Sequence, residues 1–279
     1  MIWAVGELAL HVFVPLSPDE PLALQGHSHV QLGGGAGMIA RAAAASGKPA
    51  GLIGVVGGDA TGDLIAQLAS SSAASSLVAR DTENGSSVVY LHASREKLER
   101  VTFAPGGPRM ALCLESLDHI KAGAPVYCPA FPGYDEVLRA LAARDVQLIV
   151  DIGFAPWLGD TARLQRATED APDCACMMIS CAGLSPEEIQ ALAERAARKT
   201  SRVLATAGAR AALIRDREEL FWRQPPPAKV VRCDVGAGDI VAHTLLQALD
   251  DGTPFVSACE RALSAASAHV GRWGVEVRS

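Results

Sequence analysis

The sequence lacks any apolar run near the ~20 residues that a membrane-spanning helix needs. It also lacks an excess of positive charge. Its 25 Lys and Arg stand against 31 Asp and Glu, a net charge of −6, and its pI is near 5.7. That balance argues against a nucleic-acid binder, whose affinity rests on clustered cations, although it leaves room for a local phosphate pocket. The start, Met1-Ile2-Trp3-Ala4-Val5-Gly6-Glu7, has no basic flank and breaks at Gly6-Glu7, so it reads as a buried strand rather than a secretory leader. No two of the seven cysteines have the spacing of a zinc or redox pair. Cys174 and Cys176, one residue apart, fall on one face of a strand, and all seven read as buried free thiols. Without a leader or a disulfide framework, the expected compartment is the cytoplasm. A P-loop is missing too, since Gly47-Lys48 runs into Pro49 and no Ser or Thr follows for magnesium.

What the sequence does have is a core. Hydrophobic residues make up 49% and charged residues 20%, which excludes disorder as the main state. Strand and helix patterns alternate. Ile2 to Val5, Leu52 to Val56, Val146 to Val150 and Val203 to Thr206 read as buried strands. Ala40 to Ala45 reads as a helix stopped by Gly47, and Leu64, Ile65 and Leu68 recur at helical spacing. Tyr134, Val137, Leu138 and Leu141 form another helical face. Ser185-Pro186-Glu187-Glu188 has the make-up of a capping box. Ala212 to Ile214 and Leu220 to Trp222 read as short strands, and Gly238 to Leu249 and Phe255 to Val270 as the closing helices. Repeated strand–helix units predict a parallel sheet flanked by helices. Residues 10–32 and 84–104 break the pattern and read as antiparallel ribbons added to the main sheet, a small lid on a single domain spanning 1–279. Ala69 to Ser76, rich in Ser and Ala, reads as a frayed helix end.

Two glycine-rich turns carry the chemistry. In Gly236-Ala237-Gly238-Asp239, directly before a helix, small residues let amides converge where the helix dipole is positive, an anion site without a basic side chain. Asp239 in the first turn suits the dipole by itself, and beside a phosphate it can also take a proton from an attacking hydroxyl. The other turn, Gly33-Gly34-Gly35-Ala36-Gly37, opens the helix containing Met38, and its glycines allow close approach of a ligand. Gly35 to Ala40 also fits the dinucleotide pattern G-x-G-x-x-A, with Asp59 placed to hold a ribose, but the strand such a pattern needs before it is short here.

The two turns in this order resemble the signatures of the ribokinase-like (PfkB-type) carbohydrate kinase family. Gly33-Gly34, Ala40 through Gly47, Ile53-Gly54, Gly57, Asp59 and Gly62 resemble its first signature, and Gly236-Ala237-Gly238-Asp239 its second. Asp151 and Thr206-Ala207-Gly208 match further landmarks. The resemblance implies a Rossmann-like α/β/α sandwich with a small β-sheet lid. It implies transfer of the γ-phosphate of ATP, with Mg2+, to a hydroxyl of a sugar or sugar-like molecule. Asp239 is then the base, and the amides of Gly236, Ala237 and Gly238 form the anion hole. Thr206 and Gly208 join the nucleotide site, while Gly34, Gly35 and the lid face the sugar.

The sequence departs from the family at several positions. His11 stands where the family has a sugar-binding Asp, and Met38 where it has an Asn, which points to a substrate with fewer hydroxyls or one held differently. The family's Asn-x-x-Glu near the metal is missing around Cys181 to Leu184, so no metal-holding residue is assigned. Cys233-Asp234 replaces the usual Asp-Thr, which leaves a monovalent cation open. These departures keep a second reading in play, a non-catalytic nucleotide or metabolite sensor on the same fold, and residues 35–40 keep an NAD-binding enzyme as a third. His27, His29 and Arg100 read as exposed lid residues, and Trp157 and Trp273 as core. The open edges of a lid suit pairing with a second copy, hence an expected homodimer.

Overall fold

The computed structural model describes residues 1–15, 30–93, 98–104, 107–153 and 159–271. The chain begins with β1 (Trp3–Val5), followed by β2 (Ala9–Pro15), β3 (Val30–Gly33) and α1 (Gly35–Ala45). Next come β4 (Gly51–Gly57), α2 (Ala60–Ser72), β5 (Ser75–Asp81), β6 (Ser87–Ala93) and β7 (Leu98–Ala104). A 3₁₀ helix, Met110–His119, leads to β8 (Pro125–Pro129), α3 (Asp135–Ala142), β9 (Gln147–Ile152), α4 (Thr161–Asp170) and β10 (Cys176–Ser180). The chain then forms α5 (Pro186–Ala196), β11 (Arg202–Thr206), β12 (Ala212–Asp216), β13 (Glu219–Arg223), α6 (Ala237–Asp250) and α7 (Phe255–His269).

The main sheet has nine strands in the order β13-β12-β11-β10-β9-β8-β1-β4-β5. It is parallel from β5 through to β11, and β12 and β13 add an antiparallel edge. Alternate residues of each strand supply opposite cores, as the two-residue strand period requires. Trp3, Val5, Ile53 and Val55 join the core that holds Val137 of α3 and Ile189 of α5. Ala4, Leu52 and Val56 join the one that holds Ile39, Val241 and Phe255 of α1, α6 and α7. Both faces are thus covered, which is why the parallel strands read as nearly unbroken apolar runs.

Residues 10–32 and 84–104 were expected to be antiparallel ribbons that add a small lid to the main sheet. Their described parts form a small sheet of their own, β3-β2-β6-β7, as a lid requires, but it is not joined to the main sheet and β2 and β6 run parallel. The stretch expected to be a frayed helix end also differs. The helix stops at Ser72, and Ser75–Asp81 is β5, paired along its length with β4. Its small polar residues are tolerated because β5 is an edge strand that stays half-buried. α1 begins at Gly35, earlier than its alanine run suggested, and β8, α4 and β10 add elements that periodicity had not delineated. The Ser185 capping box forms as its sequence predicts. His27, His29, Trp157, Trp273 and the side chain of Arg100 lie outside the described residues.

Candidate active site

The carboxyl ends of the parallel strands lie along one edge of the sheet, the usual place for a ligand in such a fold. The start of α6 lies there. Its cap, Gly236, has φ of +84°, a left-handed conformation that glycine adopts without strain. A Cβ on Gly236 would come within 2.4 Å of the Met38 Cε. The segment leading into it is tied to the end of α7, since the amides of Arg232 and Cys233 donate to the Val270 carbonyl and the His269 Nε2 lies 3.0 Å from the Val235 carbonyl. Of the three amides expected to form the anion hole, that of Ala237 donates to the Asp234 carbonyl at 3.1 Å. The following first-turn amides, those of Gly238 and Asp239, have no preceding helical carbonyl to bond. A Cβ on Gly238 would meet open space.

The second glycine turn packs against the first. Gly34, with φ of +75°, lets the chain cross the Glu7 carbonyl, which a Cβ there would meet at 2.4 Å. The His11 ring lies over Gly33, where a Cβ would be 1.9 Å from the ring Cδ2, and its Nε2 accepts from the Gly34 amide at 3.4 Å. Burial, reinforced by the Arg41 guanidinium, lowers His11 to about 4. The ring is therefore neutral near pH 7. Met38 accepts from Arg41 through its sulfur at 3.7 Å, and the same guanidinium donates to the Leu32 carbonyl. A Cβ on Gly35 would lie 3.3 Å from Asp239 Oδ1 and 2.9 Å from the Tyr127 hydroxyl. The structure therefore brings Gly34, Gly35, Met38 and His11 together with Gly236 and Asp239.

Around Asp239 negative groups accumulate. Asp239 keeps some exposure as a residue, yet desolvation, together with the charges of Asp151 and Glu7, raises its carboxyl to about 8. Asp151, at the end of β9, is buried and raised to about 6 by desolvation, while its hydrogen bond from the Tyr127 hydroxyl at 3.0 Å acts the other way. Glu7 is raised by burial and bonded to Ser87. Sequence reasoning did not single out Tyr127 or Glu7. A signal existed for Glu7, which follows the carboxyl end of β1, where polar residues rarely serve packing alone; Tyr127 lies within β8 and carried none.

Glu7 also lines a cleft of about 570 Å³ between Ser87 of β6, Arg109 and the Phe131–Tyr134 turn. Arg109 is anchored there by the buried Asp81 and by Glu83. A second groove, about 480 Å³, runs between residues 226–232 and the end of α7. Thr206 and Gly208 lie at the end of β11 and make no described contact with Gly236–Asp239; the Thr206 carbonyl accepts from the Cys181 amide. Asp59, a candidate ribose ligand under the dinucleotide reading, is the cap of α2 and binds Gly62 and Ser86. The strand before Gly35 belongs to the small sheet rather than the parallel one. All seven cysteines are free, and six of them are buried. No helix among the described residues is long and apolar enough to cross a membrane.

Residues 153–277 match the family model for pfkB family carbohydrate kinases. No curated protein matches the sequence. Solved structures share the fold over nearly the whole chain. A microbiome-derived acarbose kinase aligns with a TM-score of 0.76 at 20% identity, covering 99% of this chain and 94% of its own. Phosphofructokinase-2 from Escherichia coli, in complex with potassium, aligns with a TM-score of 0.76 at 20% identity over 100% and 95% of the two chains. A nucleoside kinase from Burkholderia thailandensis, in complex with inosine, gives 0.71 at 19% identity over 99% and 92%. The fold is ribokinase-like, as the two glycine turns implied.

Proposed function

We propose that this chain, with a ribokinase-like fold and a pfkB family match over residues 153–277, is an ATP-dependent kinase of a sugar or sugar-like alcohol. One observation carries the reading: the Asp239 carboxyl, in the first turn of α6, lies against Gly35 of the other glycine turn, 3.3 Å from where its Cβ would stand. A substrate hydroxyl placed there meets a base on one side and the amide-rich helix start on the other.

The acceptor oxygen attacks the γ-phosphorus and forms the new O–P bond. The bond from that phosphorus to the β-phosphate oxygen breaks, ADP leaves, and the hydroxyl proton passes to Asp239. Such transfers depend mainly on positioning and electrostatics. The first-turn amides of α6 and its dipole would stabilise charge on the phosphoryl oxygens. The groove between residues 226–232 and the end of α7, from which the chain leads into that helix start, is our site for the nucleotide base, with Thr206 and Gly208 as its further border. The acceptor enters from the Gly34–Gly35 side, and its far end extends toward the Glu7 cleft. Among the described residues no three His, Cys, Asp or Glu side chains gather to hold a metal. Magnesium would therefore arrive on the nucleotide phosphates, and no step is assigned to it here.

His11 and Met38 favour the sensor as a second reading, because His11 spends its Nε2 on the Gly34 amide and Met38 presents a methyl group to Gly236. The two readings separate in one assay. ATP consumption with magnesium is measured against sugars, sugar acids, polyols and nucleosides, with Asp239→Ala alongside. Turnover on one compound, lost in the variant, establishes the kinase. ATP binding without turnover on any compound favours the sensor. The small sheet ends on β3 and β7, and its edges are our candidate for pairing two copies in a cytoplasmic homodimer, which sedimentation would detect.

A further inference from the structure

The charges of Asp151 and Glu7 both act on the Asp239 carboxyl at the carboxyl ends of the sheet. Two carboxylates in a buried site do not ionise independently, so the proton is shared unequally according to the hydrogen bonds each receives. The structure shows a clear asymmetry. Asp151 receives the Tyr127 hydroxyl at 3.0 Å, and both groups are buried. That hydroxyl and Oδ1 of Asp239 both flank Gly35, 2.9 Å and 3.3 Å from where its Cβ would stand.

The tyrosine is held in place. It lies in the middle of β8, between β1 and β9, is 1% exposed, and belongs to the core that includes Ile39 and Val241. Its hydroxyl cannot swing to solvent. Its own ionisation is pushed far up by burial and by Asp151 and Asp239. It therefore stays a donor throughout the physiological range.

We infer that Tyr127 and Asp151 are positioning residues that decide which carboxyl of the site holds the proton, keeping Asp151 charged so that Asp239 remains the group that gains and loses it. A donor aimed at Asp151 favours its anion, and the charge of that anion opposes ionisation of Asp239. The other groups facing Asp239 do not supply this asymmetry. Glu7, after β1, adds a further negative charge and directs its own hydrogen bond to Ser87. From α7, the His269 ring bonds the Val235 carbonyl, and from α1, Arg41 donates to Leu32 and Met38. His11 of β2 is neutral and accepts from Gly34.

This assignment deepens the kinase reading, since a base is useful only if its proton can leave near the working pH. Its test does not need turnover. The carboxyl carbon of Asp239 in the full-length protein is followed by carbon-13 NMR against pH, and is assigned by its loss in Asp239→Asn. Both test variants keep side-chain volume. Tyr127→Phe removes the donor, and Asp151→Asn removes the charge. The expected result is a downward shift of the Asp239 midpoint by a unit or more in each, with the double variant shifted no further than Asp151→Asn alone. Unshifted midpoints in variants that keep the native spectrum would overturn the inference. So would additive shifts, because they would mean that Tyr127 does not act through Asp151. The pH profile of kcat/KM is the second readout. Its acid limb should move down with the same variants, whereas a merely structural role would lower the rate equally at every pH. A shifted midpoint with no turnover on any alcohol would keep this inference and remove the kinase reading.

Discussion

Met38 and Gly236 meet where the two glycine turns close on each other, and a Cβ on Gly236 would lie 2.4 Å from the Met38 Cε. The left-handed backbone of Gly236 compounds the exclusion. Gly236→Ala should therefore cost about 1–3 kcal/mol from strain and overpacking combined. Denaturant unfolding would measure it. Gly238→Ala is the informative partner, because the space there is open. It should fold normally and lose nucleotide affinity, as its methyl would occupy the place of the phosphate. If both variants bind ATP as the parent does, the helix start is not the phosphate site.

Gly35 lies against Asp239, on the side from which the proposed acceptor enters. A methyl there would press on the Tyr127 hydroxyl at 2.9 Å and on Asp239 Oδ1 at 3.3 Å. As a residue of α1, alanine at this position gains helix propensity worth roughly 0.5–1 kcal/mol over glycine, which partly offsets the contact. Stability should hardly change. Turnover should fall by on the order of 10²-fold, since the acceptor hydroxyl would be displaced from the base. An unchanged kcat/KM for the best substrate would show that the acceptor enters elsewhere.

Much of this arrangement was legible in the sequence, and the reason is local. Gly34 and Gly236 hold left-handed backbone that glycine adopts without strain, and each sits in a cluster of small residues beside a helix start, Gly33–Gly37 and Gly236–Asp239, so the two turns stand out without any neighbour in view. The parallel strands were legible because burial on both faces leaves continuous apolar runs, as in Gly51–Gly57. What was hidden depends on distant parts of the chain. β5 is Ser-rich and takes its identity from β4. The parallel pairing of β2 with β6 joins segments about seventy residues apart in the chain, where no local pattern reports a partner. Tyr127 drew no reading from the sequence, because its partners Asp151 and Gly35 are distant in the chain.

Asp81 predicts acid sensitivity at the cleft. Its carboxylate is fully buried and accepts from the Arg109 side chain and amide, from Asn84 and from the Glu83 amide. These bonds, those of Arg109 foremost, hold it well below the usual carboxylate range. A depressed pKa in the folded state stabilises the fold above the ordinary value near 4, and that contribution fades as pH falls through and below it. The melting temperature should decline steeply under pH 4. Asp81→Asn should flatten the decline while lowering stability at pH 7, where Arg109 would lose its charged partner. Thermal melts from pH 3 to pH 7 would show whether the two curves converge at the acid end.

Asp239 carries the opposite sign. Its folded-state carboxyl is raised to about 8 by desolvation, with Asp151 and Glu7 adding to it. The native state thus binds this proton more tightly than the unfolded chain does. That contribution to stability is complete below about pH 4 and is lost as pH rises through about 8. Asp239→Asn, neutral at every pH, should melt with the parent at pH 4 and above it at pH 8 and beyond, by about 0.5–2 kcal/mol, the usual gain when a strained functional group is removed. The same variant should lose 10²–10⁴-fold in turnover, in line with general-base catalysis. The two effects belong together, because a carboxylate kept in an unfavourable setting is a better proton acceptor than one solvated by water. Greater stability at high pH without loss of turnover would place the base on another residue. Loss of turnover with no gain in stability would mean that substrate, rather than the empty site, sets the charge of Asp239.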